Sequence, residues 1–363
     1  MNDRAAMQRA LVLARLGWGQ VHPNPLVGAV IVDRGEVVGE GHHRVWGGEH
    51  AERIALACAG ERARGATAVV TLMPCAHHGK QPPCTEALIG AGVARVVAAT
   101  EDPNPGAKGG ADRLREAGIV VTTGLLECEA RRENAAFFHR FTTPARPWVA
   151  LKLATSLDHR IADRSGRSRW ISGHEAREFV HDLRAGFDGV GVGGRTALCD
   201  DPQLTARGAI VPRIPPTRVL FEGSEPLPPT LAAIRTAEEI PTIVVTRPER
   251  QDATSARLRS TGARILSAQS LTGALEALQA DGVFSLLVEG GGRLAGSLLR
   301  EDLVDRYYQI QSPLWLGQSG RAASADWETG LLETVPRWDV VERRSLGADT
   351  LLVLDRRPCS PAS

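Results

Sequence analysis

Apolar residues recur at helical spacing from the first residues of the chain. Ala6, Ala10, Leu11, Leu13, Ala14 and Leu16 predict an opening amphipathic helix, ended by Gly17 and Gly19. Pro23-Asn24-Pro25-Leu26-Val27-Gly28 reads as a turn into a buried strand, Ala29-Val30-Ile31-Val32, with Val37-Val38-Gly39 as its hairpin partner. His50 to Ala59 reads as a helix and Ala68 to Leu72 as a short strand. Pro82-Pro83 announces a second helix over Cys84 to Ile89. Val93 to Thr100, a helix around Ala111 to Ala117, and Ile119 to Val121 keep strand and helix alternating, and a last helix is expected from Glu127 to about Phe141. This alternation predicts a three-layer α/β domain.

Thr142-Thr143-Pro144-Ala145-Arg146-Pro147 is a proline-bearing connector, and it divides the chain into residues 1–145 and 146–363. The second half restarts with a strand over Trp148 to Ala154, a helix from about Gly173 to Ala185, and the glycine-rich Gly189 to Gly194. Strands are expected at Arg218 to Phe221, Thr242 to Val245, Ser285 to Glu289 and Leu351 to Leu354, with a helix over Leu271 to Ala280. Ile214 to Pro229 reads as loops around one strand. The pattern is again α/β.

With 363 residues the chain can bury two cores of ordinary size. Its 43 Lys and Arg against 42 Asp and Glu leave a formal charge of +1, so no net basic field points to nucleic acid or an anionic membrane. Six scattered cysteines give no disulfide pattern and favour a reducing cytoplasm. The N-terminus mixes charge with its apolar residues, unlike a secretory signal, and no apolar run is long enough to span a bilayer.

The chemistry concentrates in His50-Ala51-Glu52 and the stretch from Pro74-Cys75 to Pro83-Cys84. One imidazole and two thiols can hold zinc, leaving one position for water and a nearby carboxylate free to move protons. The expected ligands are therefore His50, Cys75 and Cys84, with Glu52 as the proton shuttle. Cys84 at a helix N-terminus should ionise readily, because the dipole favours thiolate. A closed structural site, completed by Cys58, His77 or His78, is the competing reading. The eight residues between Cys75 and Cys84 depart from the common two-residue spacing.

That insert, with His77, Gly79-Lys80 and Pro82-Pro83, resembles the bifunctional riboflavin-biosynthesis deaminase/reductase family. Pro23-Asn24-Pro25, Val27-Gly28, Gly41-His42 and Asp102-Pro103-Asn104-Pro105 extend the likeness, which runs from about residue 4 to about 317. The resemblance implies a cytidine-deaminase-like N-terminal domain acting on 2,5-diamino-6-ribosylamino-4(3H)-pyrimidinone 5′-phosphate. It places Asn24, His42, His77, Lys80, Asp102 and Asn104 around that substrate. Met73 stands where the family usually has Glu, and Gln81 where it usually has Thr.

The second half resembles the reductase domain of the same family, whose fold is like dihydrofolate reductase and whose cofactor is NADPH. By position, Ala154, Trp170, Thr196, Asp200 and Gly291, Gly292, Arg293, Leu294, Ala295, Gly296 and Ser297 would meet NADPH. Lys152, Ser168, Arg184, Leu204, Arg207 and Glu289 would meet the ribosyl-phosphate substrate. Independently of the family, Glu289-Gly290-Gly291-Gly292 after an apolar strand is a turn whose N–H groups suit phosphate. His159 replaces an expected Gly, and a side chain there is expected to narrow the site or change the loop. Phe221-Glu222-Gly223 replaces an Asp-Ser near the cofactor.

These readings describe a cytosolic zinc hydrolase and NADPH oxidoreductase with a small-molecule partner, and a homo-oligomer is compatible with them. The rivals are a paralogue serving another pyrimidine-derived product, toxoflavin-like for example, a polynucleotide base deaminase, and a non-enzymatic metabolite sensor. Balanced charge and 4% aromatic residues weigh against the polynucleotide reading.

Overall fold

Asn2 starts the first helix: its side chain accepts from the Ala5 N–H, and α1 (Asp3–Arg15) buries Ala6, Met7, Ala10, Leu11, Leu13 and Ala14. Leu16 falls beyond the helix and is 61% exposed, so it is not part of that apolar face. The computed structural model describes residues 1–79, 81–325 and 337–356, and the chain divides into units Met1–Thr143 and Pro144–Ser363.

In the first unit, β1 (Gly28–Asp33) is antiparallel to both β2 (Glu36–His42) and β3 (Thr67–Val70). β4 (Arg95–Ala98) and β5 (Val120–Thr123) continue parallel to β3, giving the order β2-β1-β3-β4-β5. Strand alternation sends Ala29 and Ile31 to one face, where α2 (Ala51–Ala59), α3 (Cys84–Ala91) and α4 (Gly110–Glu116) pack. Val30 faces the other side, with α1 and α5 (Glu127–Glu133). Three layers result.

The single helix expected over Glu127 to Phe141 is two helices, α5 and α6 (Ala135–Thr142), broken at Asn134. The Asn134 side chain accepts from the Leu26 N–H at 2.7 Å and donates to the Leu26 carbonyl at 2.9 Å. A buried amide that satisfies a distant backbone in this way leaves the helical conformation, here at φ −108°, ψ 25°.

The second unit runs β6 (Trp148–Thr155), β7 (Arg160–Ala162), α7 (His174–Arg184), β8 (Gly189–Gly193), α8 (Gly194–Asp200), β9 (Thr217–Phe221), α9 (Ala232–Arg235) and β10 (Thr242–Thr246). It continues with α10 (Gln251–Leu258), β11 (Arg264–Ser267), α11 (Leu271–Ala280), β12 (Ser285–Glu289), α12 (Gly292–Arg300), β13 (Arg306–Gln311), β14 (Arg321–Ala322), β15 (Trp338–Leu346) and β16 (Asp349–Arg356). Nine strands form one sheet in the order β11-β10-β9-β8-β12-β6-β13-β16-β15, parallel up to β13 and antiparallel beyond. β7 and β14 pair separately.

Burial on both faces explains the continuous apolar runs of β6, β10 and β12, such as Val149-Ala150-Leu151. β12 lies between β6 and β8, so successive crossovers leave in opposite directions on either side of it. In open α/β sheets such a reversal opens a crevice at the C-terminal strand ends. No helix among the described residues is long and apolar enough to cross a membrane.

Candidate active sites

Gly39 and Gly41 let α2 lie directly on β2: a Cβ on either would sit 2.1 Å from the Ala55 carbonyl oxygen or 2.3 Å from that of Ala51. This close approach fixes the start of α2, where His50 is the residue before the first helical position, in extended backbone at φ −75°, ψ 156°. Cys75 follows β3 in a loop, and Cys84 opens α3, with the Thr85 N–H bonded to the Cys75 carbonyl.

Three chain segments thus converge. His50 Nδ1 lies 3.2 Å from Cys84 Sγ and 3.7 Å from Cys75 Sγ, and all three donor atoms fall within 4.8 Å of one another. Zinc bonds of about 2.0–2.3 Å in a tetrahedron put ligands roughly 3.5 Å apart, so the donor set fits zinc. Among the described residues no fourth His, Cys, Asp or Glu joins this group, and Cys58 is exposed. That is the three-ligand arrangement of a catalytic site rather than a closed one.

Within this cluster the thiols differ. A hydrogen bond from Cys84 holds the Cys75 thiol down to about 4, with His50 acting in the same direction. That same bond and burial push the Cys84 thiol far up. With no metal between the two sulfurs, the adjacent thiolate and burial act at Cys84 against the helix dipole. A zinc ion held by these donors would offset the repulsion between the sulfurs and favour thiolate at both.

Glu52, in the first turn of α2, is only 4% exposed, and burial raises its carboxyl above the usual range. A carboxyl that holds its proton more readily suits proton transfer near neutral pH. Asp102 is also pushed up by burial, with the Cys75 thiolate adding to the shift, and its carboxylate accepts from the Asn104 N–H. The Asn104 side chain accepts from Gly106 N–H, and His77 is exposed. Lys80 lies outside the described residues.

The histidine that the geometry brings to the zinc ligands is His43 rather than His42. His43 is buried, its Nε2 lies 3.1 Å from Asn24 Nδ2, and its ring meets that of His50 edge-on with centroids 5.5 Å apart. The Asn24 amide donates to Nε2, so Nδ1–H donates to the Glu49 carbonyl at 3.0 Å, immediately before His50. His42 is only partly buried at the end of β2. Met73 is 4% exposed and packs toward Gly110, while Gln81 donates to the Gly47 carbonyl and ties the insert to the loop before His50.

In the second unit a cleft of about 1250 Å³ opens at the strand ends. It is lined by Lys152, Ala154, Ser168, Trp170, Arg184, Thr196, Asp200, Leu204, Arg207, Glu289, Gly291, Gly292, Arg293, Leu294 and Ser297. Lys152 and Ala154 share one face of β6 through strand alternation. Ala295 and Gly296 do not line it. Ala295 is fully buried in the core with its N–H bonded to the Gly291 carbonyl, and a Cβ on Gly296 would meet the Ala325 carbonyl oxygen at 2.0 Å. Once the ladder of α12 begins, its N–H groups are spent within the helix.

The floor of the cleft is an ion cluster. Arg184 holds Glu289 through two bonds, of 2.5 and 3.0 Å, and Lys152 Nζ lies 3.6 Å from the same carboxylate. A third Arg184 nitrogen donates to the Thr205 carbonyl at 2.8 Å. The Arg184 guanidinium, which lines the cleft, is thus held by Glu289 and Thr205. Burial acts to raise Glu289, but Arg184 and Lys152 prevail and hold it down to about 2.

His159 adopts φ 61°, the left-handed region where glycine is at ease, yet it is absent from the lining and does not narrow the cleft. Sequence reading missed His174, Arg177, Glu178 and His181, which line the cleft with Arg184. Their spacing along α7 is a polar stripe at helical period, and that signal was available.

Comparison with known proteins accords with both sites. Residues 1–100 match the cytidine and deoxycytidylate deaminase zinc-binding region, and residues 147–352 match the RibD C-terminal domain. The chain is 42% identical over 317 residues to the riboflavin biosynthesis protein RibD of Aquifex aeolicus, covering 87% of this chain and 88% of that one. It is 40% identical to RibD of Escherichia coli, covering 98% and 99%. A solved Thermotoga maritima structure, titled a diaminohydroxyphosphoribosylaminopyrimidine deaminase/5-amino-6-(5-phosphoribosylamino)uracil reductase, superposes with a TM-score of 0.85 at 35% identity, covering 98% and 99%. The chain belongs to the RibD family of riboflavin-biosynthesis proteins, with a zinc-binding deaminase domain followed by a reductase domain.

Proposed function

We propose that residues 1–145 hydrolytically deaminate 2,5-diamino-6-ribosylamino-4(3H)-pyrimidinone 5′-phosphate and that residues 146–363 reduce the ribosyl group of the product to ribityl. The observation that carries this reading is the buried Glu52 carboxyl beside the His50, Cys75 and Cys84 donors. Those donors would hold a zinc ion, whose Lewis acidity would make the attacking water easier to deprotonate. Glu52 takes a proton from the attacking water and gives it to the ring nitrogen, then takes the proton of the hydroxyl now on the ring carbon and gives it to the leaving amine, so that the carbonyl forms as ammonia departs. Asn24, with its amide on His43, and Asp102 orient the pyrimidine edge.

In the cleft NADPH supplies a hydride equivalent, and the N–H groups at Gly291 and Gly292 with the Thr196 hydroxyl suit its pyrophosphate. Arg207 and Ser168 are placed for the ribosyl phosphate and its hydroxyls. The ring oxygen released at C1′ needs one proton, and Lys152, whose pKa burial lowers, is placed to hold it. The balanced formal charge supports a small-molecule substrate over nucleic acid or a membrane, and the scattered cysteines support a cytosolic site of action.

The test uses the full chain. Ammonia release is measured with the diamino substrate, and NADPH absorbance is followed separately with the deaminated product supplied directly. Both activities are expected. Deamination without NADPH consumption would leave a reductase fold that has lost its reaction, and ammonia release from cytidine-containing RNA alone would favour the polynucleotide reading.

A further inference from the structure

We infer that Arg195 reads the 2′-phosphate of the reductase cofactor and sets its preference for NADPH over NADH. This deepens the reductase reading and rests on it. Taken in sheet order, the cleft wall passes from Lys152 on β6 and Glu289 on β12, through Thr196 after β8, to Gly223 after β9. Three strand spacings of about 4.8 Å make that span roughly 14 Å. A dinucleotide whose reacting ring lies over the Lys152–Glu289 floor and whose pyrophosphate lies over the Gly290–Gly292 turn must place its adenosine over the ends of β8 and β9. Thr196 faces that turn, since a Cβ on Gly291 would lie 2.8 Å from its Oγ1.

Arg195 stands one residue earlier, toward β9. The start of α8 is packed on the β9 exit, because a Cβ on Gly194 would meet the Gly223 nitrogen at 2.9 Å. Arg195 is exposed, lines the cleft, and among the described residues makes no hydrogen bond or ion pair. At the β9 exit the neighbouring cation is engaged. Arg250 donates to the Gly223 and Ser224 carbonyls, which ties those oxygens away from a phosphate.

The acid at the end of β9 is withdrawn as well. In dinucleotide sites a carboxylate at such a strand end accepts from the free 2′-hydroxyl of NADH and repels a phosphate. Glu222 occupies that place, but its side chain is 1% exposed and accepts from Leu227 N–H, Thr246, Thr254 and Arg257. It is not part of the lining. Glu225, the carboxylate that does line this end, is exposed, so solvent screens its repulsion. A free guanidinium with no competing buried acid selects a phosphate.

Calorimetry on the full-length protein reads this end alone, using adenosine 2′,5′-bisphosphate against 5′-ADP. Wild type should bind the bisphosphate at least about tenfold more tightly, Arg195→Ala should bring the ratio near one by weakening only the bisphosphate, and Arg195→Lys should restore part of it. Equal binding of both nucleotides by wild type overturns the assignment, as does an Arg195→Ala variant that weakens both alike. Transfer of the effect to Arg321→Ala, the other lining arginine without a partner among the described residues, overturns it too. Absence of any NADPH binding, read by quenching of tryptophan fluorescence, overturns the cofactor reading itself and Arg195 with it.

Discussion

Arg184 grips Glu289 through two parallel hydrogen bonds across 105 residues of chain, Nε to Oε1 at 2.5 Å and Nη2 to Oε2 at 3.0 Å. α7 and β12 are thereby locked at the cleft floor, with Lys152 leaning on the same carboxylate. The two cations and one anion are buried, so removing the anion strands the cations in a low-dielectric site.

Glu289→Gln is therefore expected to destabilise the reductase unit by roughly 3 kcal/mol at pH 7, from a carboxyl held at about 2 in the fold against an ordinary value of 4.5. The sign follows from the depression: this stability is present above pH 4.5 and is lost as pH falls toward 2. Urea unfolding of wild type and variant should show a gap that narrows below pH 4.5. A gap of equal size at pH 7 and pH 3 would show that the ion cluster does not hold the fold.

Glu52 and Cys75 separate chemistry from metal retention. Glu52→Gln should keep one zinc per chain and lose deamination by roughly 10²–10⁴, since the shuttle but no ligand is removed. Cys75→Ser should lose zinc and deamination together. Metal analysis beside ammonia release checks both, and near-normal deamination by Glu52→Gln would remove this carboxylate from the mechanism.

His43 is a support for the ligand His50, acting through the Glu49 carbonyl. Residues that orient a metal ligand typically contribute 10–100-fold in affinity, so His43→Ala should weaken zinc by roughly that factor in chelator competition. His42→Ala should leave zinc affinity near wild type, and the reverse result would give the supporting role to His42 instead.

The sequence reading singled out His42 for the substrate pocket and gave His43 no role. Only the packing of Gly39 and Gly41 on α2, and the Asn24 bond, show which imidazole turns inward. The cluster of His50, Cys75 and Cys84 donors was legible because thiols, imidazole and carboxylate at those spacings have few other uses. The parallel strands were legible because burial on both faces makes them continuous apolar runs. Elements that depend on distant partners were not: α5 and α6 part at Asn134 for the sake of Leu26, and β13, Arg306-Tyr307-Tyr308-Gln309-Ile310-Gln311, carries no such run. The pairing of Arg184 with Glu289 was not legible either, because nothing local in the sequence reveals that residues 105 apart fold against each other.

The connector offers a different test. Thr142 to Ala145 are exposed, and each unit has its own buried clusters on either side of them. Limited proteolysis should cut there and leave two folded fragments. Fragments that lose cooperative unfolding on separation would make the boundary at Pro144 a break within one folding unit.

Gly291 is held at φ 85°, a backbone region that L side chains rarely adopt, and a Cβ there would stand 2.8 Å from Thr196 Oγ1. Gly291→Ala thus combines two costs, backbone strain of about 1 kcal/mol and a collision at the turn proposed to cradle the pyrophosphate. The expected result is a lower melting temperature together with a raised KM for NADPH, while zinc content and deamination stay unchanged because that site lies in the other unit. Adding Thr196→Ser keeps the clashing hydroxyl and should rescue nothing. Adding Thr196→Ala removes the oxygen, so it should recover part of the stability, yet NADPH binding should fall further because the same hydroxyl is proposed to meet the pyrophosphate. If the Gly291→Ala, Thr196→Ala double variant instead regains wild-type NADPH affinity, the turn is a structural corner and the cofactor's phosphates lie elsewhere in the cleft.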